Sequence, residues 1–218
     1  MKAAIFDLDG TLLDSMGVWT QIDRDFLTRR GLVVPEDYMD AVASMRFYET
    51  AVYTVERFGL SESPDALLRE WYAMAADAYG HTVALKRGAK DYLARLRSSG
   101  IRLAIATSAA PALYLPALRR HGIESWFEVI CTTDEVSRDK SAPDIFLHTA
   151  ERLAVAPADC VVFEDLLAAI RSAKAAGMTV YGIYDAASAE RWAEICRTAD
   201  GAFHDFTEAP LPDGQSRT

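Results

Sequence analysis

Several things are scarce in this chain of 218 residues, and each absence excludes something. Cysteine occurs three times, at Cys131, Cys160 and Cys196, an odd number without metal-ligand spacing. A disulfide framework is thereby excluded, and buried thiols in a reducing compartment are expected. Basic clusters are missing as well. The 23 lysines and arginines face 32 aspartates and glutamates, a formal charge of -9, so no nucleic-acid surface is expected. No apolar run reaches membrane-spanning length, and the first residues read as a strand, not as a basic segment ahead of a signal-type core. The expectation is a soluble, cytoplasmic monomer with neither nucleic acid nor membrane as partner. Gly10 stands alone after the first apolar run, so no glycine loop for ATP or NAD is present.

What is present begins at residue 2. Ala3 to Phe6 form a continuous apolar run, ending in Asp7, Leu8, Asp9, Gly10 and Thr11. Such a run stopped at a glycine turn reads as a buried strand. If strand geometry persists, alternation points Asp7 and Asp9 to the same side. Ligands of open α/β sheets gather at the carboxyl ends of strands, and two acids there invite a cation.

After Leu13 the strand signal vanishes for about seventy residues. Val18, Ile22 and Phe26 recur at helical spacing up to Gly31 and Pro35, and a second helix is expected within Glu36 to Met45. Phe47, Ala51, Val52, Val55 and Phe58 give a third stripe, and Ser63-Pro64 opens a fourth with Leu67, Leu68, Trp71, Tyr72, Ala75 and Tyr79 on one side. From Arg87 onward strands alternate with helices. The strands are 101–106, 129–131, 160–163 and 178–183, with 202–203 as an edge, and the tail from Glu208 is expected to be loose. This pattern predicts a Rossmann-like, three-layer α/β core with a parallel sheet, interrupted by an α-helical bundle cap. The core is expected at 1–13 and 84–218, and the cap at 14–83, placed over the strand ends as a lid.

Three of the strands end in polar pairs: Asp7 with Asp9, Thr107 with Ser108, and Glu164 with Asp165. Lys140 precedes a helix that begins near Pro143. Parallel strands bring such ends to one rim, and the set suits phosphoryl transfer. A divalent cation held by Asp7 and Asp165 would offset the repulsion between a carboxylate and a phosphate ester. Lys140 supplies the opposite charge, Thr107 and Ser108 hold phosphate oxygens, and Asp9 acts as acid and then base.

These motifs resemble the haloacid dehalogenase superfamily, in the branch with a helical cap inserted after the first motif. That branch holds β-phosphoglucomutase and phosphoglycolate phosphatase. The matching residues are D-x-D-G-T at Asp7 to Thr11, the hydroxyl of Thr107, Lys140 ahead of Pro143-Asp144, and Glu164-Asp165 followed by Ala173 to Met178. The resemblance implies Asp7 as nucleophile, Asp9 as general acid and base, and Thr107 and Lys140 on phosphate. It also implies magnesium held by Asp7, the backbone carbonyl of Asp9 and Asp165, with Glu164 beside the metal's water shell. Leu166 and Ala169 stand where the family has serine and glycine, Pro111 where it often has a phosphate-binding asparagine, and Trp19 where the mutase has histidine. Trp19, Arg46 and Tyr48 are the substrate-facing candidates of the cap. The expected activity is a magnesium-dependent phosphatase of a small phosphorylated metabolite. A phosphomutase is the alternative, followed by a non-catalytic metabolite-binding protein.

Overall fold

The computed structural model describes residues 1–210 apart from Glu36, Ala43, Ser44 and Arg46. In chain order the elements are β1 (Ala3–Phe6), β2 (Leu13–Asp14), α1 (Met16–Arg29), α2 (Tyr38–Val42), α3 (Phe47–Phe58), α4 (Pro64–His81) and β3 (Ala84–Leu85). There follow α5 (Ala89–Ser98), β4 (Arg102–Thr107), α6 (Pro111–His121), β5 (Val129–Thr132), α7 (Asp144–Arg152), β6 (Cys160–Glu164), α8 (Leu167–Ala175), β7 (Thr179–Ile183), α9 (Trp192–Thr198) and β8 (Gly201–Phe203). Two compact units result: Met1–Met16 with Val83–Thr218, and Gly17–Thr82.

The first unit is an α/β sandwich on a six-stranded sheet ordered β5-β4-β1-β6-β7-β8, with every pair parallel. The strands are continuous apolar runs because both sheet faces are covered. Alternation divides their side chains into two unlike layers. Ala3, Ile5, Ala104, Ala106, Val162 and Val180 join Ile145, Phe146, Ile170 and Ile195 of α7, α8 and α9 in a mainly aliphatic core. On the other face, pairing sets Phe6 opposite Phe163 and Phe163 opposite Tyr181. Phe6 stacks on Phe163 at 4.6 Å, and Tyr92 of α5 meets Phe163 edge-on at 5.6 Å.

Counted among the six sheet strands alone, chain order reverses between β1 and β6. That crevice is where open α/β sheets bind ligands. The sequence reading did not anticipate the pairing of β2 with β3 as an antiparallel ribbon, where Leu13 lies opposite Leu85. Two-residue strands are too short to show a period. The start of the supposed loose tail is held down: Ala209 is buried and the Pro210 carbonyl accepts from the Tyr92 hydroxyl at 2.8 Å. Cys131 and Cys160 are buried free thiols, whereas Cys196 is exposed, against expectation.

In the helical unit, Ser63 caps α4 by accepting from the Ala66 N–H, with Pro64 in the first turn. Phe26 meets Trp71 edge-on at 5.5 Å, and the Arg30 guanidinium lies over Phe26 at 3.7 Å while bonding to Glu62 and Glu70. The buried side of α3 is Thr50, Ala51 and Thr54, not the stripe read from Val52, Val55 and Phe58. Thr54 can be buried because its hydroxyl donates to the Thr50 carbonyl and meets the Tyr38 hydroxyl, each at 2.7 Å. Tyr72, expected on the inner stripe of α4, is exposed. No helix of the described residues is long and apolar enough to cross a membrane.

Phe163 joins the strand ladder to the aromatic layer with no exposed surface, so Phe163→Ala should cost about 3–5 kcal/mol of stability. Urea unfolding monitored by circular dichroism measures this. A loss under about 1 kcal/mol would mean that the aromatic layer repacks freely.

Candidate active site

Regular strand geometry stops at Phe6 rather than running on to Asp9. The Asp7 N–H still bonds to the Phe163 carbonyl at 3.0 Å, but the chain then turns, with the Leu8 carbonyl accepting from both Thr11 and Leu13. Gly10 makes the turn at φ +83, and a Cβ there would lie 2.5 Å from Asp165 Oδ2. Both the left-handed backbone and the close approach require glycine. The two aspartates therefore diverge. Asp7 is buried at the carboxyl end of the central strand β1, while Asp9 is only partly buried and its carboxylate accepts from the Ser15 hydroxyl at 2.6 Å.

Asp7, Glu164 and Asp165 each bring a carboxylate oxygen to within 4.8 Å of the others. They follow or end β1 and β6, the two strands flanking the order reversal. Like charges at that spacing repel by about 3–4 kcal/mol per pair at an effective dielectric near 20, so their partners decide what the site can hold. Lys140 is buried with them, its ammonium on Asp7 Oδ1 and at 2.9 Å from Glu164 Oε2. Burial opposes the lysine's charge, but Asp7 and Glu164 overcome it and raise its pKa. The lysine's backbone is fixed too, because buried Ser172 of α8 donates to the Lys140 carbonyl at 2.7 Å.

Glu164 is fully committed. Its Oε2 faces Lys140, and Oε1 accepts the N–H groups of Asp165 at 3.1 Å and Leu166 at 3.2 Å, where α8 begins. Asp165 is not. Oδ1 accepts from the Thr11 hydroxyl at 3.0 Å, while Oδ2 is buried with no hydrogen-bond partner among the described residues. Burial, followed by the charges of Glu164 and Asp7, pushes the Asp165 carboxyl up to about 9. Burial and then Glu164 push Asp7 up to about 7 against the pull of Lys140. An orphaned buried oxygen in an all-oxygen donor set fits a hard divalent cation, the group that would draw both carboxyls back to their charged forms.

Thr107 ends β4, next to β1, and its hydroxyl oxygen accepts from the Ala109 N–H at 3.0 Å, leaving its proton to donate; Ser108 is exposed beside it. Pro111 begins α6 and offers no N–H. Of the cap candidates, Trp19 is half-buried against Phe47 at 5.0 Å, Tyr48 is exposed, and Arg46 lies outside the described residues. Trp19 and Tyr48 belong to the other unit.

With this geometry in hand, comparison with known proteins is decisive. The haloacid dehalogenase-like hydrolase pattern matches residues 4–183. The chain belongs to that family. This haloacid dehalogenase-like hydrolase is 33% identical over 191 residues to protein CbbY of Rhodobacter capsulatus, covering 83% of this chain and 84% of that one. It is 31% identical over 215 residues to the validoxylamine A 7'-phosphate phosphatase of Streptomyces hygroscopicus subsp. limoneus, covering 97% of each. Among solved structures, CbbY of Rhodobacter sphaeroides in complex with phosphate superposes with a TM-score of 0.75 at 25% identity, covering 95% of this chain and 96% of that one. The resemblance to the branch containing β-phosphoglucomutase is thus established.

Sequence reasoning missed Thr11 as a partner of Asp165, Ser15 as the partner of Asp9, and Ser172 as the anchor of Lys140. Thr11 lay inside the quoted motif, but nothing in spacing distinguishes Ser15, just before α1, or Ser172, within α8, from ordinary serines at a helix start or in a helix.

The raised carboxyls make a prediction for the metal-free hydrolase. Folded Asp7 and Asp165 keep protons that the unfolded chain, with ordinary values of 3.8, releases. Their stabilisation is therefore full below about 4 and lost as pH rises through about 7 and then about 9. In EDTA the melting temperature should fall by several degrees between pH 5 and pH 8.5, and Asp165→Asn should flatten that slope. A melting temperature that climbs over the same range would show that the carboxylates ionise without penalty.

Proposed function

We infer that this hydrolase is a magnesium-dependent phosphatase of a small organic phosphomonoester, working through an aspartyl-phosphate. The observation that carries this reading is the buried Asp7 carboxylate, bonded to the Lys140 ammonium and within 4.8 Å of a carboxylate oxygen of Asp165, whose Oδ2 has no partner among the described residues. Asp7 and Asp165, with the backbone carbonyl of Asp9, would hold magnesium. When bound, the ion supplies positive charge against the phosphate oxygens. Glu164 serves the site at one remove, by fixing Lys140 and the start of α8.

The chemistry then falls to the chain's own groups. With Oδ1 facing Lys140, the other Asp7 oxygen attacks phosphorus as the P–O bond to the leaving group breaks. Asp9, which is hydrogen-bonded by Ser15, gives its proton to the departing alkoxide. In the second half the Asp9 carboxylate takes a proton from water. The water oxygen bonds to phosphorus, the P–O bond to Asp7 breaks, and inorganic phosphate leaves. Lys140 holds the transferring group's charge, and Thr107 donates to a non-transferring oxygen. The names of the relatives support a phosphate ester as substrate: validoxylamine 7'-phosphate, fructose 1-phosphate and hexitol phosphates appear among them. The mutase reading loses support at Trp19, since an indole relays no proton where the mutase has histidine.

A phosphate-release screen over sugar, polyol and nucleoside phosphates and phosphoglycolate tests this reading. Turnover is expected with magnesium and not with EDTA. Asp7→Asn should fold normally and lose at least ~1,000-fold in kcat, and full activity in that variant would remove Asp7 as nucleophile. Isomerisation of β-glucose 1-phosphate in the presence of a bisphosphate primer would favour the mutase instead.

A further inference from the structure

A second convergence of donor groups lies at the end of β5, apart from the set built around Asp7. Cys131 of β5, Glu135 of the single turn Thr133–Glu135 that follows, and His148 of α7 each bring one donor atom to within 4.8 Å of the others. All three belong to the unit that carries the sheet. Ordinary local structure puts them there. Strand alternation places Cys131 in the aliphatic layer with Ile145 and Phe146 of α7. Glu135 closes a capping box, its Oε1 accepting the Thr132 N–H at 2.8 Å, which leaves Oε2 for other partners. His148 and Arg152, four residues apart, share one face of α7.

The Arg152 guanidinium fills the gap between these donors. Its Nη1 lies 2.8 Å from Glu135 Oε2, 3.5 Å from Cys131 Sγ and 3.2 Å from the Ile130 carbonyl. A cation is thus already seated where thiol and carboxylate converge. The arginine side chain is 42% exposed, and ion pairs of that kind contribute little, so it can turn into water at small cost. His148 Nε2 stands 3.6 Å from Glu135 Oε2. That is long for a hydrogen bond, but near the separation of about 3.4 Å between two ligands of one tetrahedral zinc ion. A thiolate, a carboxylate and a neutral imidazole carry two negative charges, which a divalent ion cancels and a guanidinium does not. Sulfur and imidazole favour zinc over magnesium, which takes oxygen ligands.

We propose that Cys131, Glu135 and His148 bind a zinc-class divalent ion that displaces Arg152, with water as the fourth ligand. Binding sends the Cys131 proton to solvent and ties the end of β5 to α7. The site stands or falls separately from the phosphatase reading, because its readout is a sulfur ligand, which the all-oxygen set of Asp7 and Asp165 does not contain.

The test is a cobalt(II) titration of the full-length protein at pH 7.5, with a phosphine in place of a thiol as reductant. Cobalt reports a thiolate ligand through a sulfur-to-metal charge-transfer band. One equivalent is expected to raise that band, and zinc to abolish it by displacement. His148→Gln should weaken cobalt binding at least about tenfold, Arg152→Gln should tighten it, and Cys196→Ser should leave it as it is. The proposal is overturned by the absence of a sulfur band, by a band that survives Cys131→Ser or vanishes in Cys196→Ser, or by an unaltered affinity in His148→Gln. Binding no tighter in Arg152→Gln would overturn it as well. Should Cys131→Ser fail to fold, the His148 and Cys196 variants still decide.

Discussion

One buried ammonium holds the candidate active site together. Lys140 reaches Asp7 across 133 positions of sequence and Glu164 across 24, and all three side chains are almost wholly out of water. Taking one charge from such a buried set is costly, because what remains is a charge with neither water nor partner. The surroundings are built to prevent this. Ser172 ties the lysine's carbonyl, Glu164 spends its other oxygen on the first N–H groups before α8, and the aliphatic layer below keeps β1 and β6 in register. Fold and site are thus coupled through one side chain, placed in a connection rather than in a strand.

Much of this was legible in the sequence, for a physical reason. Parallel strands covered on both faces must be apolar throughout, so β1, β4, β6 and β7 stand out from their helices, and acids at their ends are conspicuous. Lys140 was not readable in that way. Lysine in a loop is ordinarily solvated; its place just before a helix singled it out, but its burial against Asp7 and Glu164 could not be read. Two kinds of feature stayed hidden. Ribbons as short as β2 and β3 have no periodicity to read. Buried threonines such as Thr50 and Thr54 read as polar and shift the apparent face of α3, although the hydrogen bonds of the Thr54 hydroxyl make its burial inexpensive.

The departures from the family pattern become intelligible at the same level. Position 166 contributes its backbone N–H to Glu164, which leucine provides as well as serine, and the side chain itself is exposed. Ala169 is buried in the aliphatic cluster beside Ile170 and Ala173, where its methyl fills space that glycine would leave empty. Pro111 is a subtraction of another kind. It opens α6 favourably for the helix but removes one N–H from the helix start that follows Thr107. Neither change at 166 or 169 touches the carboxylates.

Charge counting explains why such an arrangement is worth keeping despite its cost. Asp7, Glu164 and Asp165 carry three negative charges when ionised, and Lys140 returns one, leaving two uncompensated in a buried space. Protonation is one way to lose them, which is why Asp7 and Asp165 titrate so high. A divalent cation is the other, and it brings the sum to zero while leaving both aspartates ionised. On the proposed reading, only the second way would keep Asp7 ionised, as a nucleophile must be, at neutral pH. The Asp165 oxygen that has no partner among the described residues would, on that reading, be the protein's half of a coordination contact.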